Sequence, residues 1–98
     1  MTIETIAAEL RRLDPAGCDE QAGYRAYEGD EDGWPSVGWY AAGGNVGHSV
    51  VRVHPDDITA LAAVLREYPD GEANNTGPES WKYDPRKATK KAGVRCEW

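Results

Sequence analysis

The chain contains no phenylalanine, one methionine and two cysteines, and leucine, isoleucine and valine together number only 14 of its 98 residues. With a net charge of −6, so little aliphatic side chain often leaves a chain unable to offset its conformational entropy. Two cysteines, Cys18 and Cys96, are too few for a disulfide framework or a four-cysteine zinc site. No apolar run is long enough for a membrane-spanning helix. Glu4 and Glu9 interrupt the first residues, so no secretory signal is expected there. A cytoplasmic chain with reduced thiols is the expectation. The acidic surplus disfavours non-specific DNA binding, which needs cations to neutralise phosphate.

Aromatic side chains offset the missing aliphatics. Four tryptophans and five tyrosines are present, and each can bury about 150–250 Å². The expectation is one folded domain with a small aliphatic core and aromatic edges. The Ala/Gly/Asp-rich composition, with arginine preferred to lysine before residue 81, suggests an accessory protein of a GC-rich bacterium or its phage.

Thr2–Leu13 reads as a helix. Ile3, Ile6, Ala7, Leu10 and Leu13 form one stripe, Thr2 and Glu4 suit its start, and Arg11 and Arg12 suit its last turn. Asp14-Pro15-Ala16-Gly17 stops it. Three strands follow, at Ala22–Glu28, Ser36–Ala42 and Val46–His54. Gly29-Asp30-Glu31-Asp32-Gly33 forms an acidic loop between the first two, and Gly43-Gly44-Asn45 a turn between the others. Pro55–Tyr68 reads as a second helix. Pro55 fits its first position, Asp56 and Asp57 its first turn, and Ile58, Leu61, Ala62, Leu65 and Tyr68 make its stripe. Pro69-Asp70-Gly71 ends it.

The predicted fold class is α+β. Two helices pack on a three-stranded antiparallel sheet in the order α-β-β-β-α, and a C-terminal extension can add a short strand over Val94–Trp98. Residues 1–71 form this core. Residues 72–98 supply a polar loop and a basic segment containing aromatics, packed on the core or on a partner. The charge divides along the same boundary. Residues 81–98 hold six cations against two acids, and residues 1–80 hold five against fifteen.

No catalytic, metal or cofactor motif emerges. The stretch Ala42–Ser49 lacks the glycine spacing and the lysine of a phosphate loop, and a strand follows it. His48 and His54 have no paired-ligand spacing with either cysteine. Cys18 follows a helix end, where nothing lowers a thiol pKa, and no nucleophile–base arrangement is recognisable. Asn74-Asn75-Thr76 fits a glycosylation sequon, which matters only in a secreted chain.

The informative features are aromatic and charged. A two-residue turn between the second and third strands would place Val37, Trp39, Ala41, Val46, His48, Val50 and Arg52 on one face. Ser36, Gly38, Tyr40, Ala42, Gly47, Ser49, Val51 and Val53 would occupy the other. Both faces are then partly apolar, and two short helices cover only one of them well. Trp34, in the Gly33-Trp34-Pro35 corner, and Trp39 are candidate anchors for a protein partner, with Asp30, Glu31 and Asp32 as their acidic rim. The expected function is therefore a non-enzymatic inhibitor or adaptor that occupies a basic surface of another protein, without cofactor or metal.

The competing expectation is nucleic-acid binding through Lys82, Arg86, Lys87, Lys90, Lys91 and Arg95, interleaved with Trp81 and Tyr83. The element order is similar to that of double-stranded RNA-binding domains, and its strand-strand-strand-helix part to plant-type sheet readers of DNA. The resemblance is one of topology over residues 2–68. The RNA-binding family is lysine-rich where this chain has Pro55-Asp56-Asp57, and sheet readers need more basic strand residues than Arg25 and Arg52. A third possibility is that the basic segment neutralises the acidic body of its own chain.

Overall fold

The computed structural model describes residues 2–13, 23–29, 33–40, 47–70 and 85–97. At positions 39, 40, 47–50 and 85–87 only the backbone is described. The elements are α1 (Ile3–Leu13), β1 (Gly23–Tyr27), β2 (Ser36–Tyr40), β3 (Gly47–Val53), a 3₁₀ turn (Pro55–Asp57), α2 (Ile58–Leu65), α3 (Pro85–Ala92) and β4 (Cys96–Glu97). The fold is α+β, with a four-stranded antiparallel sheet in the order β1-β2-β3-β4.

The helical stripes of the sequence become the core. Ile6, Ala7, Leu10 and Leu13 of α1 meet Ile58, Leu61, Ala62 and Leu65 of α2 above Tyr24, Val37, Val51 and Val53 of the sheet. Leu61 and Leu65 are 2% and 1% exposed. Burying each such side chain contributes about 1.5–3 kcal/mol before entropy is charged. Ala88 of α3 completes the same cluster, so the described helices share one core, with α3 packed against α2.

Three sequence expectations are corrected. The helix from Pro55 has two parts. Pro55–Asp57 is a 3₁₀ turn, and the α-helix starts at Ile58. The His54 Nδ1 caps the 3₁₀ turn by accepting from the Asp56 N–H at 3.1 Å.

The second correction concerns the faces of β2 and β3. Ser36 pairs with Arg52 and Val37 with Val51, but Gly38 pairs with Ser49, leaving Val50 as an inserted bulge residue. One extra residue shifts the side-chain phase of a strand. Val37 therefore shares the core face with Val51 and Val53, and not with Val50 and Arg52. Arg52 lies on the opposite face.

The third correction is a helix the sequence reading lacked, α3, within the basic segment. Among its described side chains only Ala88 and Thr89 are buried, so its buried face carries no large aliphatic residue to mark it. Its end is marked. Gly93 has φ +66°. The Gly93 N–H bonds to Thr89 O at 3.0 Å and Lys90 O at 3.2 Å, and the Val94 N–H bonds to Thr89 O at 3.3 Å. These bonds form a Schellman cap, in which glycine takes the left-handed position without a Cβ penalty. Beyond it the chain extends, and Cys96 pairs with Val53 and Glu97 with Arg52. This is the added strand expected near Val94–Trp98, limited to two residues.

The turn Gly43-Gly44-Asn45, the sequon, Cys18 and the polar loop Glu72–Ser80 lie outside the described residues.

Candidate protein-binding corner

Strand alternation sorts the sheet into two faces. Tyr24, Val37, Val51 and Val53 point to the helices. The other face carries Arg25 and Tyr27 of β1, Ser36 of β2, Arg52 of β3 and Glu97 of β4. Arg25 and Glu97 are exposed, and Tyr27, Ser36 and Arg52 are half-buried.

Trp34 stands at the rim of this face, two residues before Ser36. Its indole meets the His54 ring edge-on, with centroids 5.2 Å apart and planes at 72°. The Arg52 guanidinium carbon lies 6.0 Å from the indole centroid, the outer reach of a cation–π contact. Arg52 Nη1 also donates to Glu97 Oε2 at 2.6 Å. The corner is bonded to β3 through its backbone, since the Val53 N–H donates to Pro35 O at 3.0 Å. Trp34 is thus half-buried and braced on two sides, a large apolar ring held in one orientation by polar neighbours.

The acidic loop leaves the sheet through a closed neck. A Cβ on Gly29 would come within 2.6 Å of Gly33 O and 2.8 Å of Trp34 N. Only glycine permits that approach of one backbone to the other. Gly33, with φ +75°, turns the returning chain into Trp34. Asp30, Glu31 and Asp32 lie outside the described residues, but both ends of their loop meet at the base of Trp34.

A second polar cluster adjoins this corner. Asp57 Oδ2 accepts from the Arg95 backbone N–H at 2.9 Å and from its Nε at 2.9 Å, while Oδ1 accepts from Nη2 at 3.2 Å. The Arg95 side-chain hydrogen bonds, then its backbone bond, hold the Asp57 carboxyl down to about 2 from its ordinary 3.8. On the next strand residue the His54 N–H donates to Arg95 O at 2.9 Å. The two residues that brace Trp34 are therefore both tied to the C-terminal strand, Arg52 through Glu97 and His54 through Arg95.

The remaining predicted site residues divide. The register places position 39 opposite Tyr24 and His48, on the face shared with Val37, and the Trp39 side chain is outside the described set. Lys82 is also outside it, and Arg86 and Lys87 are described as backbone of α3 only. Lys90 is exposed. Lys91 Nζ donates to Glu67 Oε2 at 2.6 Å, which raises the ammonium pKa. Arg95 is taken up by Asp57.

Sequence reasoning named Trp34 but missed its partners. Arg52 and His54 were separate features there, one a basic strand residue and the other a corner histidine. Their spacing of two on one strand was the available signal that they share a face. No group of three or more metal-ligating side chains occurs among the described residues, and no described helix is long and apolar enough to cross a membrane. The chain matches no family model, no curated protein and no solved structure.

Proposed function

We propose that this protein is a non-enzymatic protein-binding module, an inhibitor or adaptor anchored by Trp34 that engages a basic surface on its partner. The observation that carries the reading is the construction of the corner. A large ring is held between Arg52 and His54, on the face that none of the described helices covers, at the neck whose intervening residues are three consecutive acids. A pre-positioned aromatic with a polar rim is the arrangement of interface hot spots. The acids supply long-range attraction, and the overall charge of −6 adds to it. Within this reading the protein is a cytoplasmic accessory protein of bacterial or phage type, and its cysteines are reduced thiols.

The nucleic-acid alternative loses two of its six cations to the protein's own acids, Lys91 to Glu67 and Arg95 to Asp57. The basic segment serves in part to neutralise the body on which it sits.

The partner is to be captured from the native cell and its binding followed by surface plasmon resonance. Trp34→Ala should weaken binding by about 2 kcal/mol or more, mainly through faster dissociation. Reversing Asp30, Glu31 and Asp32 to lysine should slow association and flatten its salt dependence. Normal binding by both variants, with loss in a Lys87/Lys90/Lys91→Ala protein, would replace this reading with the nucleic-acid one.

A further inference from the structure

The described contacts between the C-terminal segment and the body combine a small apolar seat with three ion pairs. Of its described side chains only Ala88 and Thr89 are buried, and Val94 and Cys96 pack partly against the core. Against this small apolar seat stand Lys91 on Glu67 at 2.6 Å, Arg95 on Asp57 at 2.9 Å and Glu97 on Arg52 at 2.6 Å. Strand pairing adds only two residues. An eight-residue helix is too short to persist by itself in water, so α3 exists because it is docked.

The body therefore presents a surface shaped for a ligand of one kind. Asp57 reads a main-chain N–H and a guanidinium together. Glu67, past the end of α2, takes an ammonium. A seat beside α2 holds Ala88, which is fully buried. The edge of β3 at Arg52 and Val53 takes a strand. In the two pairs that flank the Schellman turn, the body supplies the acid and the segment the cation.

We propose that this α2–β3 surface is a binding site for a basic segment with a small-residue helical turn followed by a short strand, and that the C-terminal segment occupies it in cis as an intramolecular competitor. A partner segment of that chemistry gains access by displacing the chain's own. The proposal deepens the protein-binding reading by adding a second surface, and it does not require Trp34 to contact anything. A partner that binds normally to Trp34→Ala but fails on this surface, or the reverse, separates the two.

The test uses a fluorescein-labelled synthetic peptide of residues 85–98, with Cys96→Ser to prevent oxidation, and fluorescence anisotropy on the full-length chain. The unaltered chain should bind the peptide weakly, because apparent affinity scales with the fraction of protein whose site is open. Lys91→Ala with Arg95→Ala in the chain weakens the cis competitor and should tighten peptide binding about tenfold or more. Adding Asp57→Asn and Glu67→Gln to that protein should remove the gain. Equal peptide binding by the unaltered chain and the Lys91/Arg95 variant overturns the proposal.

Should that variant not fold, as judged by circular dichroism, amide hydrogen exchange on the unaltered chain decides. The His54, Gly93 and Val94 amides should open together, ahead of the α1 amides, and more readily as salt rises from about 0.05 to about 0.5 M. Protection equal to that of α1 at both salt concentrations overturns the proposal.

Discussion

Arg12 is the side chain whose removal should cost most for its modest burial. It leaves the last turn of α1 and closes the end of α2. Its Nη2 donates to Leu65 O at 2.8 Å and its Nη1 to Tyr68 O at 2.6 Å. Nη1 also reaches Asp70 Oδ1 at 2.8 Å, and Nε donates to Glu9 Oε2 at 3.0 Å. Among the described residues Leu65 O otherwise accepts only the Tyr68 N–H, at 3.2 Å, and the negative end of the helix dipole favours a cation there. One guanidinium meets both needs and joins segments more than fifty residues apart in sequence.

The magnitude follows from the parts. Hydrogen bonds to a charged group contribute about 1.5–3 kcal/mol when sheltered, and exposed ion pairs about 0–1 kcal/mol. The Arg12 side chain is 26% exposed and that of Asp70 is 84% exposed, so the Asp70 contact adds little. The two carbonyl bonds carry most of the effect, reduced because water can replace part of them. Arg12→Met keeps the apolar stem and loses every donor. It should cost about 2–4 kcal/mol, which for a domain this size lowers Tm by roughly 10–20 °C. Glu9, whose side chain is 16% exposed, would keep only the looser contact with Arg66 at 3.7 Å. Arg12→Lys should recover less than half, because an ammonium cannot fork across two carbonyls and two carboxylates. Urea unfolding with an unchanged m-value measures this. A loss under about 0.5 kcal/mol for Arg12→Met would refute the assignment of α2 closure to this residue.

Leu61→Ala should cost about 2–5 kcal/mol by transfer and cavity terms, read from the same urea curves. Gly29→Ala should force open the neck below Trp34, weakening partner binding in plasmon resonance much more than Gly33→Ala, which meets open space at a strained φ. Acid unfolding tests Asp57: its lowered pKa stabilises the fold above the unfolded value near 3.8, and this contribution fades as pH falls toward about 2. Asp57→Asn should therefore show a flatter loss of stability between those limits, and identical slopes for both proteins would contradict the Asp57–Arg95 tie.

The sequence was legible where periodicity was long and apolar. Stripes in α1 and α2 and the valines of β3 specified helices on a sheet. The bulge was not legible, because Val50 and Val51 are equivalent to a pattern reader and a one-residue insertion exchanges their faces. The helix α3 was hidden because its apolar contribution is chiefly Ala88, with charged residues on most other positions. Its Gly93 cap and the proline at its first position, Pro85, were the local signals, and both are short. Arg11 and Arg12 read as generic last-turn cations. Tertiary packing gave each a distant acceptor, with Arg11 Nη1 donating to Tyr24 O on the edge strand at 2.6 Å. Such pairings depend on how α1 crosses the sheet and α2, which no window of sequence contains.

The division of charge along the chain bears on what the corner can meet. Had the basic segment projected from the body, its lysines and arginines would have presented a cationic arm to phosphate. Instead α3 lies against α2 and β4 against β3, so Lys91 and Arg95 face Glu67 and Asp57. Exposed pairs of this kind contribute little to stability, yet they change what a partner encounters. Lys91 and Arg95 are drawn toward α2, while Gly29 and Gly33 meet at the base of Trp34. At that neck the Trp34 ring is held by Arg52 and His54. Both braces depend on β4, through Glu97 and the Arg95 carbonyl. Releasing the C-terminal segment would therefore loosen Trp34 as well as open the α2 surface, so that docking of the basic segment and presentation of the anchor are coupled through Arg52 and His54.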